Sequence, residues 1–361
     1  MAETVALDKH SCPACGAQAE WNPAKQLLIC SYCSTSSPYE VDKDGAIHEI
    51  DLVRTLREMP EELRGWKADK RTVRCGSCKA VSVFDAGRVG QNCEFCGSPE
   101  LVDYDEIKAP IRPQSVLPFK VTPAQIRDSL RSWLGGKWLA PGKLKKKALV
   151  DTVRGIYIPY WTFDSQVDCP WRAESGHYYY TTESYRDSQG RSRVRQVRHV
   201  RWRPASGRIE HFFDDEPVPG TQGIPIDLLK QVEPFPTSEL MPYDTAYLSG
   251  FIVEHYRVVL VDAAQQSRQS MEQQLQQMCS QRVPGDTYRN LEIEPRYSGE
   301  TFKHTLFPLW VLTYDYHGKS FQLVANGYTG KIAGRYPKSG WKIFFMVLAA
   351  LLIVLLFLFA S

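Results

Sequence analysis

The stretch Cys12–Cys33, CPACGAQAEWNPAKQLLICSYC, holds two Cys-x-x-Cys pairs separated by fourteen residues, and the same spacing returns in Cys75–Cys96, CGSCKAVSVFDAGRVGQNCEFC. Thiolates are soft ligands suited to Zn²⁺. Two intervening residues let both sulfurs of a pair reach one ion, and two pairs complete a closed tetrahedron. The spacing therefore predicts two structural Zn²⁺ ions, one held by Cys12, Cys15, Cys30 and Cys33 and one by Cys75, Cys78, Cys93 and Cys96. With four protein ligands each, neither ion has a position left for water or substrate. Gly16, Gly76 and Gly97 supply turn chemistry at the knuckles, because a residue without Cβ turns backbone amides toward the sulfurs at no steric cost. Cys169 and Cys279 have no partner knuckle and read as small buried hydrophobes. The opening MAETVALDKH lacks a charged-then-apolar leader, which argues for reduced thiols rather than disulfides.

The second decisive segment is Ile343–Ala360, IFFMVLAALLIVLLFLFA, without a charge or a polar side chain. As a helix it would be about 27 Å long, and with Trp341 and Lys342 it would reach across a hydrocarbon core of about 30 Å. The expectation is a transmembrane tail anchor inserted in the bilayer. Lys331, Arg335, Lys338 and Lys342 precede it, so the N-terminal domains are expected on the cytoplasmic side, as at a bacterial inner membrane.

Between these ends the composition is that of a folded chain, with 43% hydrophobic and 24% charged residues and a net charge of +3 over 361 residues. That charge is too small to argue for nucleic acid by itself. The segment around Ile50–Trp66 reads as a short helical connector with an apolar stripe of Leu52, Leu56 and Met59. The segment from about Pro110 to Gly340 reads as an α+β domain with antiparallel sheet, and it contains a faint internal duplication. In each unit a helix precedes a Pro-x-Trp strand. Thr122 and Pro123 open the first helix, which carries Ile126, Leu130, Trp133 and Leu134 on one face and leads to Pro159 and Trp161. Asp262 is expected to cap the second, which carries Ala264, Met271, Leu275 and Met278 and leads to Pro308 and Trp310. The expected fold class is thus multidomain: zinc ribbon 1 (1–49), helical connector (50–69), zinc ribbon 2 (70–104), α+β domain (105–340) and transmembrane anchor (341–360).

A long hairpin is expected to turn at Asp187-Ser188-Gln189-Gly190. On its second arm Arg193, Arg195, His199, Arg201 and Arg203 alternate with Val194, Gln196, Val200 and Trp202, which makes one face strongly basic. Arg193, Arg195, Arg201 and Arg203 are the candidate anionic-ligand face, for single-stranded nucleic acid or lipid headgroups, against the plainer role of guarding a sheet edge. The run Lys143–Lys147 reads the same way. A further hairpin is expected at His317-Gly318, with another turn at Thr329-Gly330. Asp214, Asp215 and Glu216 lack the alternating ligand spacing of a calcium loop and read as solvated acids in a loop.

Catalytic signatures are missing. There is no His-Glu-x-x-His, no Gly-x-Ser-x-Gly and no Gly-x-x-x-x-Gly-Lys-Ser/Thr, so no catalytic residue is assigned and a non-enzymatic role is expected. The order CPACG, CSYC, CGSC, CEFCG, then a PYW strand, a GYTG turn and a terminal apolar segment resembles bacterial membrane-attached double-zinc-ribbon proteins, often labelled primosomal or phage replication proteins. Relatives are encoded near SPFH-domain (flotillin-like) and phage-shock proteins. The resemblance implies an adaptor or scaffold recruiting a protein partner of that kind, in membrane organisation or envelope stress. A tethered nucleic-acid-binding protein is the alternative. The helicase label does not fit, because no phosphate loop is present to drive one.

Overall fold

The computed structural model describes residues 10–37, 45–57, 70–75, 81–85, 101–103, 111–141, 153–186, 188, 190–316 and 319–360. It begins with a two-stranded hairpin, β1 (Ala19–Asn22) and β2 (Leu27–Cys30), which stands outside the main sheet. Next come β3 (Ile50–Asp51), α1 (Leu52–Arg57), β4 (Lys70–Cys75), β5 (Val81–Asp85), β6 (Leu101–Asp103), β7 (Ser115–Val116) and α2 (Pro123–Gly136). Two very long strands, β8 (Arg154–Arg186) and β9 (Ser192–Pro219), form a hairpin and lead to α3 (Ile226–Val232), β10 (Met241–Pro242) and β11 (Ile252–Glu254). Then follow α4 (Leu260–Arg282), β12 (Thr287–Ile293), β13 (Arg296–Tyr316), β14 (Lys319–Asn326), β15 (Ile332–Gly334) and α5 (Gly340–Ala360).

The expected fold class is corrected in two respects. Among the described residues the chain is mostly antiparallel sheet, 45% strand against 26% helix, and one large curled sheet takes in strands of the second ribbon segment together with the expected α+β domain. Thirteen strands of the described residues join that sheet, and they include β4, β5 and β6 from the second cysteine segment, because β5 pairs with β11. The physical reason lies in strand length. Segments that read as Pro-x-Trp strands and a separate long hairpin run on as strands of 33, 28 and 21 residues. Strands this long curl through bulges, and register shifts fall at Phe163/Ser165, Arg289/Glu292 and Ser298/Thr301.

The second correction concerns the terminal segment. α5 runs from Gly340 to Ala360, with side chains described as far as Ile353. Among the described residues, no helix is long and apolar enough to cross a membrane. The tail anchor, the bilayer contact through 343–360 and the single-pass localisation are corrected accordingly. Lys342 does not face outward as an interfacial cation: its Nζ donates to the carbonyls of Trp138 and Ala140 at 2.6 and 3.0 Å, tying the start of α5 to the turn after α2.

At the centre, β8 and β13 pair antiparallel, with Tyr157 opposite Pro308 and Pro159 opposite Leu306. Ile156, Ile158, Leu309 and Val311 pack on one face under α3, while Tyr157 and Trp310 pack on the other beneath α2. Both faces are covered, which is why YIPYWTF and LFPLWVL show no polar alternation. The two Pro-x-Trp units repeat each other in detail. β7 runs parallel to β13, and β11 runs parallel to β8. Gly327 donates to Pro308 and accepts from Lys120 and Val121. Gly220 donates to Pro159 and accepts from Arg257 and Val258. The helix that follows begins in each case at the next residue, with N-cap Thr122 in α2 and N-cap Val259 in α4. Thr122 forms a capping box with Gln125. Asp262, expected as a cap, lies in the first turn of α4, and the buried stripe there is Leu260, Ala263, Ser267, Met271, Leu275 and Cys279. The repeat places Val259 level with Thr122, so α4 starts earlier than its polar residues suggest.

Candidate metal centre and hairpin face

The N-terminal hairpin turns because its two knuckles repeat one backbone device. Gly16 N donates to Cys12 O at 2.9 Å, and Ser34 N donates to Cys30 O at 3.0 Å. The residue after the second cysteine of each pair adopts positive φ, +74° at Gly16 and +60° at Ser34. Glycine takes that conformation without strain and serine does not. The four sulfurs lie within 4.8 Å of one another, with Cys12 and Cys33 3.5 Å apart and Cys15 and Cys30 3.6 Å apart. Four thiolates at about 2.3 Å from a tetrahedral Zn²⁺ are about 3.8 Å apart, so the geometry fits one metal ion. It does not fit disulfides, whose sulfurs bond at about 2.05 Å. Cys33 is held down to about 6 by the Thr35 hydroxyl and then by the Thr35 backbone N–H, while Cys15, although the Ala17 backbone lowers it, is pushed up to about 12 by Cys33 and burial. Of the second cysteine set, Cys75 is buried at the end of β4, while Cys78, Cys93 and Cys96 lie outside the described residues.

The hairpin that carries this site is docked on the body. Trp21 is buried edge-on against Tyr247, with ring centroids 4.6 Å apart. Its backbone N–H donates to Ser249 O, the Ser249 hydroxyl donates to Ala19 O at 2.6 Å, and Gln26 Nε2 donates to Phe119 O at 2.9 Å. The face opposite the metal is therefore consumed by packing, while Cys15, Cys33 and Tyr32 remain exposed.

The candidate basic face lies at the far end of the β8–β9 hairpin. Register pairs Tyr185 with Arg193, Glu183 with Arg195, Tyr179 with His199, His177 with Arg201 and Ser175 with Arg203. Directly opposed residues point to the same side of a sheet, so Arg193, Arg195, Arg201 and Arg203 share one face with Tyr179, Tyr185, His177 and His199. Tyr179 stacks on His199 at 5.3 Å, and the Arg201 guanidinium lies 5.4 Å from the Tyr179 ring. Arg195 reaches the Tyr185 ring at 5.6 Å and pairs with Glu183 at 3.1 Å. A concavity of about 220 Å³ is lined by His177, Tyr178, Tyr179, Arg201 and Arg203. The turn residues 187 and 189 and the run Lys143–Lys147 lie outside the described residues, as do His317 and Gly318.

A buried polar cluster lies where β8, β9 and β13 bulge, outside every site expected from local pattern. Lys303 Nζ lies 2.8 Å from Asp215 and 3.3 Å from Glu49. Asp164 accepts from the Asp215 backbone N–H and from the Thr301 hydroxyl. Burial pulls Lys303 down, but Asp215, Asp164 and Glu49 outweigh it and the group is raised overall. Asp164 is raised chiefly by burial. The acids Asp214–Glu216, expected to be solvated in a loop, sit instead on β9. Glu216 accepts from Ser270 and Gln274 of α4, which fastens that helix to the sheet. His255 and His304 are also buried, and burial pushes them down to about 4 and about 3. Each ring lies with Nδ1 2.9 Å from a carbonyl, Tyr256 O and Ile111 O respectively. The signal in the sequence would have been the Lys303-His304 pair just before the apolar run Leu306–Leu312. Cys169 and Cys279 are buried with sulfurs 3.9 Å apart, and burial raises both thiols.

No family model matches the chain, and no solved structure matches it. It is similar to a Bacillus subtilis (strain 168) protein described as "Uncharacterized protein YdjG", 23% identical over 240 residues, a span of 66% of this chain and 68% of that protein.

Proposed function

We propose that this chain is a non-enzymatic adaptor: a body closed by zinc-stapled segments that holds out the β8–β9 arm to a macromolecular partner. Zinc is the metal that suits four thiolates in a closed set. By the repeat of spacing, a second ion belongs to Cys75, Cys78, Cys93 and Cys96.

The observation that carries this reading is the arm itself. Beyond Gly176, where β12 ceases to pair, residues 177–186 and 192–201 pair only with each other among the described residues. A two-stranded ribbon alone is marginally stable in water. Here ring and guanidinium stacks brace it on both sides: Arg201 on Tyr179, Arg195 on Tyr185, and Arg198 on Tyr178 at 4.4 Å. An arm so braced and so exposed contributes little to the core, which is what a contact element requires. The resemblance to double-zinc-ribbon proteins encoded beside SPFH-domain and phage-shock proteins supports partners of that kind.

The test shortens the arm. Tyr178 and Val200 are paired directly, so replacing residues 179–199 by Asn-Gly closes the ribbon with a tight hairpin turn. The shortened protein should keep its metal content and melt within a few degrees of the parent, while losing the partners that cross-link to the full chain. Retention of every partner would overturn the adaptor reading.

A further inference from the structure

Resting on that reading of the arm, we propose that its Tyr179–Arg203 face is a binding site for single-stranded nucleic acid, with one base seated beside Tyr179 and backbone phosphates on Arg201 and Arg203.

Three observations on one face carry the assignment. The first is charge that is still available: among the described residues, no acidic group pairs with Arg201 or Arg203, and both are exposed. The second is ring surface. Tyr179 is 42% exposed although it already holds His199 on one side and Arg201 near it, so a flat aromatic platform with an orientated cation is preformed. The third is shape. The concavity of about 220 Å³ between His177, Tyr179, Arg201 and Arg203 has room for a single planar base, and two guanidiniums stand at its edge. Same-face side chains recur about every 6.8 Å along a strand, close to the phosphate repeat of an extended single strand. Stacking platforms beside cations are the means by which proteins hold single strands without reading their sequence.

The same features disfavour other anions. In a duplex the bases are already stacked on one another and cannot reach Tyr179. A bilayer offers headgroups to a projecting, convex basic patch, whereas here the charges flank a hollow. An acidic peptide would satisfy the guanidiniums but has no use for the ring platform.

The experiment measures fluorescence anisotropy of the full-length protein with labelled dT20 and rU20, over a series of salt concentrations. A 20-base-pair duplex, polyglutamate, and vesicles containing phosphatidylserine serve as competitors. Single strands should bind, and affinity should fall with salt. Arg201→Gln with Arg203→Gln should weaken binding at least tenfold and flatten the log–log salt slope by about 1.4, the release expected for two single-strand phosphates. Tyr179→Leu should weaken binding about tenfold with the slope unchanged, in the range of one lost base–aromatic stack. Tyr180→Leu, on the opposite face of the arm, should change neither. The assignment is overturned if single strands do not bind at low salt, if duplex, polyglutamate or vesicles compete equally well, or if Tyr179→Leu has no effect. If the shortened arm still loses its cross-linked partners in that case, the adaptor reading stands and only the ligand class falls.

Discussion

Trp161 donates from its indole Nε1 to the carbonyl oxygen of Val258 at 2.8 Å. Its counterpart in the other half of the sheet, Trp310, donates to Val121 at 3.1 Å. Val121 and Val258 are the last residues before the N-caps of α2 and α4. Each tryptophan thus fixes where a helix leaves the sheet, and the glycine–proline bonds of Gly327 with Pro308 and Gly220 with Pro159 fix the strand beneath it. This explains the Pro-x-Trp signature: the proline carbonyl and the indole N–H are two ends of one clamp.

Removing a clamp should therefore be costly in either half. Trp161→Phe and Trp310→Phe each leave a carbonyl without its donor, and about 1–3 kcal/mol of stability should be lost, read by urea unfolding. Gly327→Ala should be worse than Gly220→Ala. A Cβ at Gly327 would meet the Phe119 ring at 2.6 Å and Pro308 at 2.7 Å, whereas at Gly220 the nearest atom is Pro159 O at 3.1 Å. Equal effects of the two glycine substitutions would mean that the closer contacts at Gly327 do not set the cost.

The buried Lys303–Asp215 pair should behave as a unit. Lys303→Met leaves Asp215 and Asp164 without their cation and should cost about 3 kcal/mol or more. Lys303→Met combined with Asp215→Asn should recover part of that loss, since the second change removes the orphaned charge. Asparagine is chosen because Asp215 sits at φ +53°, a conformation asparagine tolerates. Strict additivity in the double-mutant cycle would show the ion pair to be energetically idle.

Acid should destabilise the fold through its buried histidines. In the unfolded chain they take up protons near pH 6.5, whereas in the fold burial holds His304 to about 3 and His255 to about 4. Their contribution is complete above pH 6.5 and is lost as pH falls from there toward those values. By pH 5 each should account for about 2 kcal/mol. Asp164 and Glu233, raised by burial, work in the opposite sense, so the comparison must be made between variants. The loss in melting temperature between pH 7.5 and 5 should be smaller in His304→Asn, which keeps an N–H near Ile111 O, than in the parent.

Metal should be needed to seat the N-terminal hairpin on the body. A strong chelator should change tryptophan emission, and the change should be absent from Trp21→Phe, because Trp21 loses its place against Tyr247 when the knuckles open. Cys15→Ser should lower zinc by one ion per chain in elemental analysis, and Cys78→Ser by one more. Full metal content in Cys15→Ser would refute the four-thiolate set.

The local devices were legible in the residues: the cysteine spacing, the knuckle glycine Gly16, the Thr122 cap and the alternation that puts four arginines on one face of β9. Each depends on neighbours a few positions away, where period and turn chemistry decide the outcome. The second knuckle shows the limit, since Ser34 adopts the left-handed backbone that only a glycine would have announced. What the tertiary structure alone decided is how far strands extend and what covers them. Nothing local distinguishes a short Pro-x-Trp strand from 33 continuous residues of β8, because the pairing that sustains it comes from β9, β11, β12 and β13. Asp215 and Glu216 became structural for the same reason: Lys303 meets the first from β13, and Ser270 and Gln274 meet the second from α4. Sequence by itself determined which side chains can gather a metal or present positive charge. Long-range pairing determined which of them are buried, because a polar group's burial depends on partners that only the folded sheet brings within reach.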